Sequence, residues 1–197
     1  MSQIAHRVLV RPAGPCDEAA IGQLFAALHA YNASLDPRFA LADGWEALLH
    51  EHLRHHAEHA HGLTLLAWDG ATPIGLLMIA GHSDSPLFRH RHWAEILALY
   101  VDPQLHGHGI ADDLIANAMA WAHQQGYERI QLHVTAHNLR ARKFYARQGF
   151  RCVQEIWRYE IGPTDHAPPE DPTCTHHYAH GRDLLGSHPH HLAIEPE

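Results

Sequence analysis

Ile21, Leu24, Phe25 and Leu28 recur on one face of a 3.6-residue period, and the stretch GPCDEAAIGQLFAALHAYN around them predicts a helix. Pro15 suits its first turn, as do the acids Asp17 and Glu18. The short apolar run HRVLVRPA before it, closed by Pro12, predicts a first strand. Pro37 and Gly44 break the pattern, and a second helix is expected from about Trp45 to His61, ending at Gly62. LTLLAWDGATPIGLLMIAG holds two apolar runs joined around Asp69-Gly70, a hairpin pattern. WAEILALYV predicts the next strand, stopped by Asp102-Pro103.

Between Gly107 and Gln125 the apolar set Ile110, Leu114, Ile115, Ala118, Met119 and Ala122 has helical period, and Gly126 fits a C-terminal stop. YERIQLHV alternates Ile130, Leu132 and Val134 with polar residues, a strand of period 2. NLRARKFYARQG predicts a short helix ending at Gly149, and FRCVQEIWRYEI predicts a last strand. The order β-α-α-β-β-β-α-β-α-β describes one α/β domain with a mixed central sheet, residues 1–162. Residues 163–197 carry Pro and His with little periodic apolar content and are expected to form a tail, disordered or docked on the body.

Charge and cysteine content narrow the classes of function. The formal net charge of −8 opposes non-specific nucleic-acid binding, which requires cationic surface. Cys16, Cys152 and Cys174 are far apart and form no CxxC, so neither a disulfide framework nor a thiolate zinc site is indicated. The opening MSQIAHRVLVRPAG lacks the apolar stretch of a secretory signal, and no run reaches the ~20 apolar residues of a membrane span. A cytoplasmic protein with no membrane partner is the expectation.

The segment QLHGHGIA, Gln104 to Ala111, lies where a strand hands over to a helix. A helix start leaves backbone N–H groups unpaired at the positive end of the macrodipole, which favours anions and above all phosphate. Gly107 and Gly109 remove side chains that would hold a phosphate off the backbone. The dinucleotide fingerprint GxGxxG is excluded by Asp112, and the P-loop by the absence of GKS or GKT. Instead QLHGHGIA matches the (Arg/Gln)-x-x-Gly-x-(Gly/Ala) motif, and the segment resembles the corresponding loop of the GNAT acetyltransferase superfamily. AEILALYVDP is similar to that family's central strand. VTAHNLRARKFYARQGF is similar to its second signature, with Asn138, Ala141, Tyr145 and Gly149-Phe150 at the expected steps. The resemblance covers roughly residues 6–161.

The resemblance implies the GNAT fold, a mixed sheet with splayed strands flanked by helices, and acetyl-coenzyme A as cofactor. It implies that a bulge opens the strand before the glycine loop and that the pantetheine arm lies along the exposed backbone of Leu99, Tyr100 and Val101. Backbone amides from Leu105 through His106, Gly107, His108, Gly109 and Ile110 to Ala111 would hold the pyrophosphate. Gln104 would position the loop, and Asn138 would help fix the arm or cap its helix. Glu95 would be the general base for the amine, its pKa raised by desolvation among apolar neighbours. Tyr145 would be the general acid for the leaving thiolate. Transfer would be direct, to a small-molecule or peptide amine, and homodimers are common in the family. Where relatives usually carry Arg or Lys this chain has His106 and His108, which predicts coenzyme A affinity that weakens between about pH 6 and pH 8.

The chain has 23 histidines. His52, His55, His56 and His59 fall on one helical face, a spacing that suits zinc or nickel. A solvated polar face in a His-rich chain is the simpler explanation, and no metal site is expected. A metal-binding module and a non-catalytic acyl-CoA-binding domain remain the alternatives to the enzyme. The acids Asp36, Asp43 and Glu46, with Trp45, fall in the region that would build the acceptor pocket. They hint at a cationic acceptor, although loop and helix-cap roles are the simpler explanation.

Overall fold

The computed structural model describes residues 8–59, 62–159 and 161, those at 56–59 by backbone alone. The predicted tail, 163–197, lies outside them. Two compact units divide at Cys152/Val153, and the functional residues of interest all belong to the first.

The first unit is a five-stranded sheet in the order β1 (Val8–Pro12), β2 (Gly62–Asp69), β3 (Thr72–Ser83), β4 (His92–Val101) and β5 (Ile130–Leu132). The first four strands are antiparallel neighbours, and β5 runs parallel to β4. Helices α1 (Glu18–Leu35) and α2 (Trp45–His59) follow β1, α3 (Ile110–Gln124) follows β4, and α4 (Leu139–Arg147) follows β5. The hairpin turns at Gly70, whose φ of +60° favours glycine. The second helix is described as far as His59, residues 60 and 61 lie outside the described residues, and Gly62 belongs to β2.

Two apolar layers sandwich the sheet. On one face Leu65, Ala67, Leu77, Ile79, Ala94 and Ile96 pack with Ile110, Leu114, Ile115 and Ala118 of α3. On the other, Leu66, Leu76, Met78 and Ala98 pack with Ile21 and Leu24 of α1 and Leu49 of α2. The alternation of β2 and β3 between these layers is the period-2 pattern that places successive side chains on opposite faces. At the entry to α1, Arg11 holds Asp17 through two hydrogen bonds of 2.6 and 2.8 Å, and the pair keeps the Asp17 carboxyl at about 2.

The alternation breaks at Ile74, an extra residue between the partners of Ala67 and Trp68, and again in β4. Met78 registers with Ala98 but Ile79 with Ile96, so Leu97 is an extra residue in β4. Ala94 and Ile96 belong to the α3 layer, whereas beyond the extra residue Ala98 belongs to the α1 layer and Val101 returns to the α3 layer. One inserted residue has switched the parity of the strand, as a β-bulge does.

The predicted strand FRCVQEIWRYEI is corrected. Residues 151–159 and 161 carry no strand, and Val153, Ile156, Trp157, Tyr159 and Ile161 are exposed. Alternation supplies a face, but a strand also requires a ladder of backbone hydrogen bonds, and none forms among the described residues. No helix of the described residues is long and apolar enough to cross a membrane.

Gly75 pairs with Val101 at the end of β4. A Cβ there would meet the Ala67 Cβ at 3.1 Å, Leu114 Cδ1 at 3.3 Å and the Tyr100 carbonyl oxygen at 3.4 Å. The glycine thus lets α3 and β4 approach closely just ahead of the loop. Gly75→Val is expected to destabilise the fold by about 1–3 kcal/mol through overpacking. Thermal denaturation should show a loss of about 2–4 °C for each kcal/mol.

Candidate active site

The site is built around the bulge. β5 pairs with β4 only opposite Ala94, Glu95 and Ile96. Past Leu97, residues 98–101 of β4 keep their partner on β3 but have none on β5. The two parallel strands are therefore joined below the bulge and open above it. The open stretch contains Leu99, Tyr100 and Val101, and it leads directly into the glycine loop.

That loop starts with a short turn, Pro103–Leu105, in which Asp102 Oδ1 accepts from the Gln104 amide at 2.9 Å. The amides of Leu105 and His106 are spent inside the turn, on the carbonyls of Asp102 and Pro103. The amides of Gly107 through Asp112 donate to no backbone or side-chain acceptor among the described residues. Gly107 has φ +88° and Gly109 has φ +81°, conformations that a side chain strains. A Cβ at either position would project into space with no atom within 4 Å. The glycines thus supply a backbone path that aims consecutive N–H groups outward, at the N-terminus of a 15-residue helix. The residues present fit the diphosphate of coenzyme A, and the nest begins at Gly107, two residues later than expected.

The two loop histidines differ. His106 Nε2 lies 2.9 Å from the Val101 carbonyl oxygen, an acceptor only, so Nε2 carries the hydrogen and Nδ1 is the buried, unpartnered atom. His106 ties the loop to the end of β4 instead of facing an anion, and it occupies the Val101 carbonyl. Leu99 and Tyr100 keep theirs outside this bond. His108 donates from Nδ1 to the Leu105 carbonyl at 3.1 Å on the exposed side of the loop. Any charge that histidine lends to a diphosphate therefore falls to His108.

Glu95 stands on the other side of the bulge, 14% exposed. Its expected setting among apolar neighbours is corrected. Ala94 and Ile96 adjoin it in sequence, but strand alternation turns them into the opposite layer. The carboxylate instead lies between two imidazoles: His82 Nδ1 is 3.1 Å from Oε2, and His133 Nε2 is 3.3 Å from Oε1. Glu95 registers with Ala80 on β3 and with Gln131 on β5. Each histidine lies two residues beyond those partners, the diagonal position of a neighbouring strand, within reach of a long side chain. His82 also stacks on Trp93, ring centroids 4.4 Å apart, and Arg129 covers the same indole at 4.6 Å. The carboxylate raises the His133 imidazole above its ordinary range, first by hydrogen bonding and then by charge, against the opposing effect of burial. Sequence reading passed over both histidines, because among so many only strand register singles them out.

Tyr145 and Asn138 arrive on α4. Asn138 caps the helix, its Oδ1 accepting from the Ala141 amide at 3.0 Å. Tyr145 packs edge-on against Phe144 and Phe150 at the margin of the α3 layer. Burial pushes its phenol up to about 12. Gln148 Nε2 donates to Asp112 Oδ1 at 2.6 Å, which fixes the end of α4 to the first turn of α3.

A groove between α1 and α2 is lined by Glu18, Gln23, Trp45, Glu46 and Leu49. Asp36 takes no part in it: the carboxylate caps the turn at Pro37 and pairs with Arg38 at 3.3 Å. On α2, burial lowers the His52 pKa, and the side chains of His56 and His59 lie outside the described residues. Among the described residues no group of three or more His, Cys, Asp or Glu side chains is arranged to hold a metal ion.

No curated protein matches the sequence. Among solved structures, an aminoglycoside antibiotic 6'-N-acetyltransferase from Acinetobacter haemolyticus superposes with a TM-score of 0.61 at 17% identity, covering 79% of this chain and 99% of that one. A Bacillus halodurans protein gives 0.68 at 18% identity, covering 78% and 99%. The structure of AAC(6')-Iy in complex with the bisubstrate analogue CoA-S-monomethyl-acetylneamine gives 0.60 at 16% identity, covering 79% and 99%. At these identities the likeness is one of fold. The sequence itself matches the family model described as Acetyltransferase (GNAT) family over residues 26–150, which spans the bulged strand, the glycine loop and α4. The chain belongs to the GNAT acetyltransferase family, and it is an acyltransferase.

Proposed function

We propose that the protein is an acetyl-CoA-dependent N-acetyltransferase that acetylates a primary amine by direct transfer. The observation that carries this reading is the order of features along β4: Glu95, then the bulge at Leu97, then open backbone, then an unspent amide nest. When bound, acetyl-coenzyme A supplies an acyl group activated as a thioester. The amides from Gly107 to Asp112 hold the diphosphate, and the open edge of β4 at Leu99 and Tyr100 receives the arm as an added strand. Gln104 and the Asn138 cap keep the flanking segments in place.

An alkyl amine is mostly protonated at neutral pH and attacks only after losing a proton. Glu95 removes that proton, directly or through one water. Tyr145 hydrogen-bonds the departing sulfur. With its phenol at about 12 it stays protonated throughout the working range, so donation does not titrate there. Tyr145→Phe is expected to lower kcat by about 10- to 100-fold with little change in KM for acetyl-CoA. The native pH–rate profile should show no alkaline loss from this phenol below about pH 11, because the protonated form persists until pH passes the raised pKa.

Glu18, Glu46 and the Trp45 ring along the α1–α2 groove favour a cationic acceptor. The acetyltransferase neighbours named for aminoglycosides are consistent with such a substrate. The test is release of free thiol from acetyl-CoA in the presence of kanamycin, spermidine or a lysine peptide. Amine-dependent release with an acetylated product supports the reading. Tight cofactor binding with no release for any amine would replace it with a non-catalytic acyl-CoA-binding domain.

A further inference from the structure

We propose that His133 is the exit for the proton that Glu95 takes from the amine, and that His82 holds the carboxylate in the orientation this transfer needs. The inference rests on Glu95 serving as the base. Glu95 is 14% exposed and His133 is 62% exposed, with 3.3 Å between Oε1 and Nε2, so the imidazole bridges the enclosed carboxylate to solvent. His82, stacked on Trp93, places Nδ1 3.1 Å from Oε2, so the carboxylate meets His82 at Oε2 and His133 at Oε1, the oxygen used for the transfer.

The transfer balances without any further reactant. An N–H bond of the ammonium breaks and its proton bonds to Glu95, leaving the nitrogen lone pair free to attack. The carboxylic acid passes its proton to His133 Nε2 and becomes carboxylate again. The imidazolium then loses a proton to water, and proton exchange between the exposed ring and solvent restores the Nδ1–H tautomer, whose Nε2 accepts the next proton. His82 and His133 are the titratable groups facing Glu95 from β3 and from the end of β5, and the Arg129 guanidinium lies 4.6 Å from the Trp93 ring on which His82 stacks. The raised His133 pKa agrees with an imidazole that accepts a proton readily beside this carboxylate.

Two measurements test the relay. Imidazole resonances of the unliganded protein, followed by NMR against pH, should show His133 titrating above an ordinary histidine and falling back in Glu95→Gln. An unchanged midpoint in that variant overturns the coupling, whether or not an acceptor has been found. With kanamycin and with spermidine as acceptors, His133→Gln, which keeps a hydrogen-bonding nitrogen but cannot take up a proton, and His133→Ala should each lose about tenfold or more in kcat. KM for acetyl-CoA should hold, and added imidazole should restore His133→Ala. Full turnover in His133→Gln, or no response of His133→Ala to imidazole, overturns the relay. If neither amine is acetylated by the native protein, it is the N-acetyltransferase reading that fails, and the NMR titration still decides the coupling.

Discussion

Glu95→Gln is expected to lower kcat by about 10²- to 10⁴-fold, the range over which a positioned general base contributes. The substitution preserves the size of the side chain and an oxygen for His82 to address, so the sheet and the bulge should be undisturbed. The proposed cofactor contacts are backbone groups on the far side of the bulge, so coenzyme A affinity should stay within a few-fold of native. A loss of kcat with KM for acetyl-CoA unchanged is the signature of a group that acts on the reacting atoms and not on cofactor binding. The measurement is thiol release under saturating acetyl-CoA, paired with calorimetric binding of coenzyme A. Near-native turnover in the variant would remove Glu95 from the chemistry and leave proton removal to another group or to water.

The second large effect is expected at the glycine loop. Gly109→Val places a β-branched residue at φ +81° and sends its side chain into the space the nest faces. The backbone conformation costs about 1–2 kcal/mol for a residue with a Cβ. The added bulk stands where the diphosphate is to be received. Coenzyme A affinity is expected to fall by tenfold or more, whereas a ligand lacking the diphosphate, such as acetyl-pantetheine, should lose much less. Equal losses for both ligands in calorimetry would mean that the substitution disturbs the whole site, not the nest.

The course of the fold was largely legible because its helices and inner strands bury one face each. The 3.6-residue period of Ile110, Leu114, Ile115, Ala118 and Ala122 is the buried stripe of α3. The Asp69-Gly70 hairpin and the stop at Gly126, φ +79°, follow from turn chemistry alone. What was not legible depends on pairing. Nothing in WAEILALYV marks Leu97 as the inserted residue, since Ile96, Leu97 and Leu99 are all aliphatic and the bulge exists only relative to β3. YERIQLHV alternates over its whole length, yet β5 is confined to Ile130–Leu132 because its partner veers away beyond the bulge.

The candidate site divides in the same manner. The glycine loop could be found from local chemistry, because positive φ selects glycine wherever the rest of the chain lies. Resemblance singles out Glu95, but its sequence neighbours are no guide to its surroundings: chain neighbours of a strand residue point away from it. His82 and His133 are about 13 and 38 positions distant in sequence, and only the registers Glu95–Ala80 and Glu95–Gln131 bring them to one carboxylate. His106 likewise turned inward because a carbonyl at the end of β4 needed a donor, which no reading of the loop alone reveals.

Unspent amides at the start of α3 are the proposed seat of the coenzyme A diphosphate. Amide NMR of the protein titrated with coenzyme A tests this assignment without an acceptor. The resonances of Gly107 through Asp112 should move most, together with Leu99 and Tyr100 on the open edge of β4. Saturation of the cofactor with those amides unmoved, and the shifts gathered elsewhere, would contradict it.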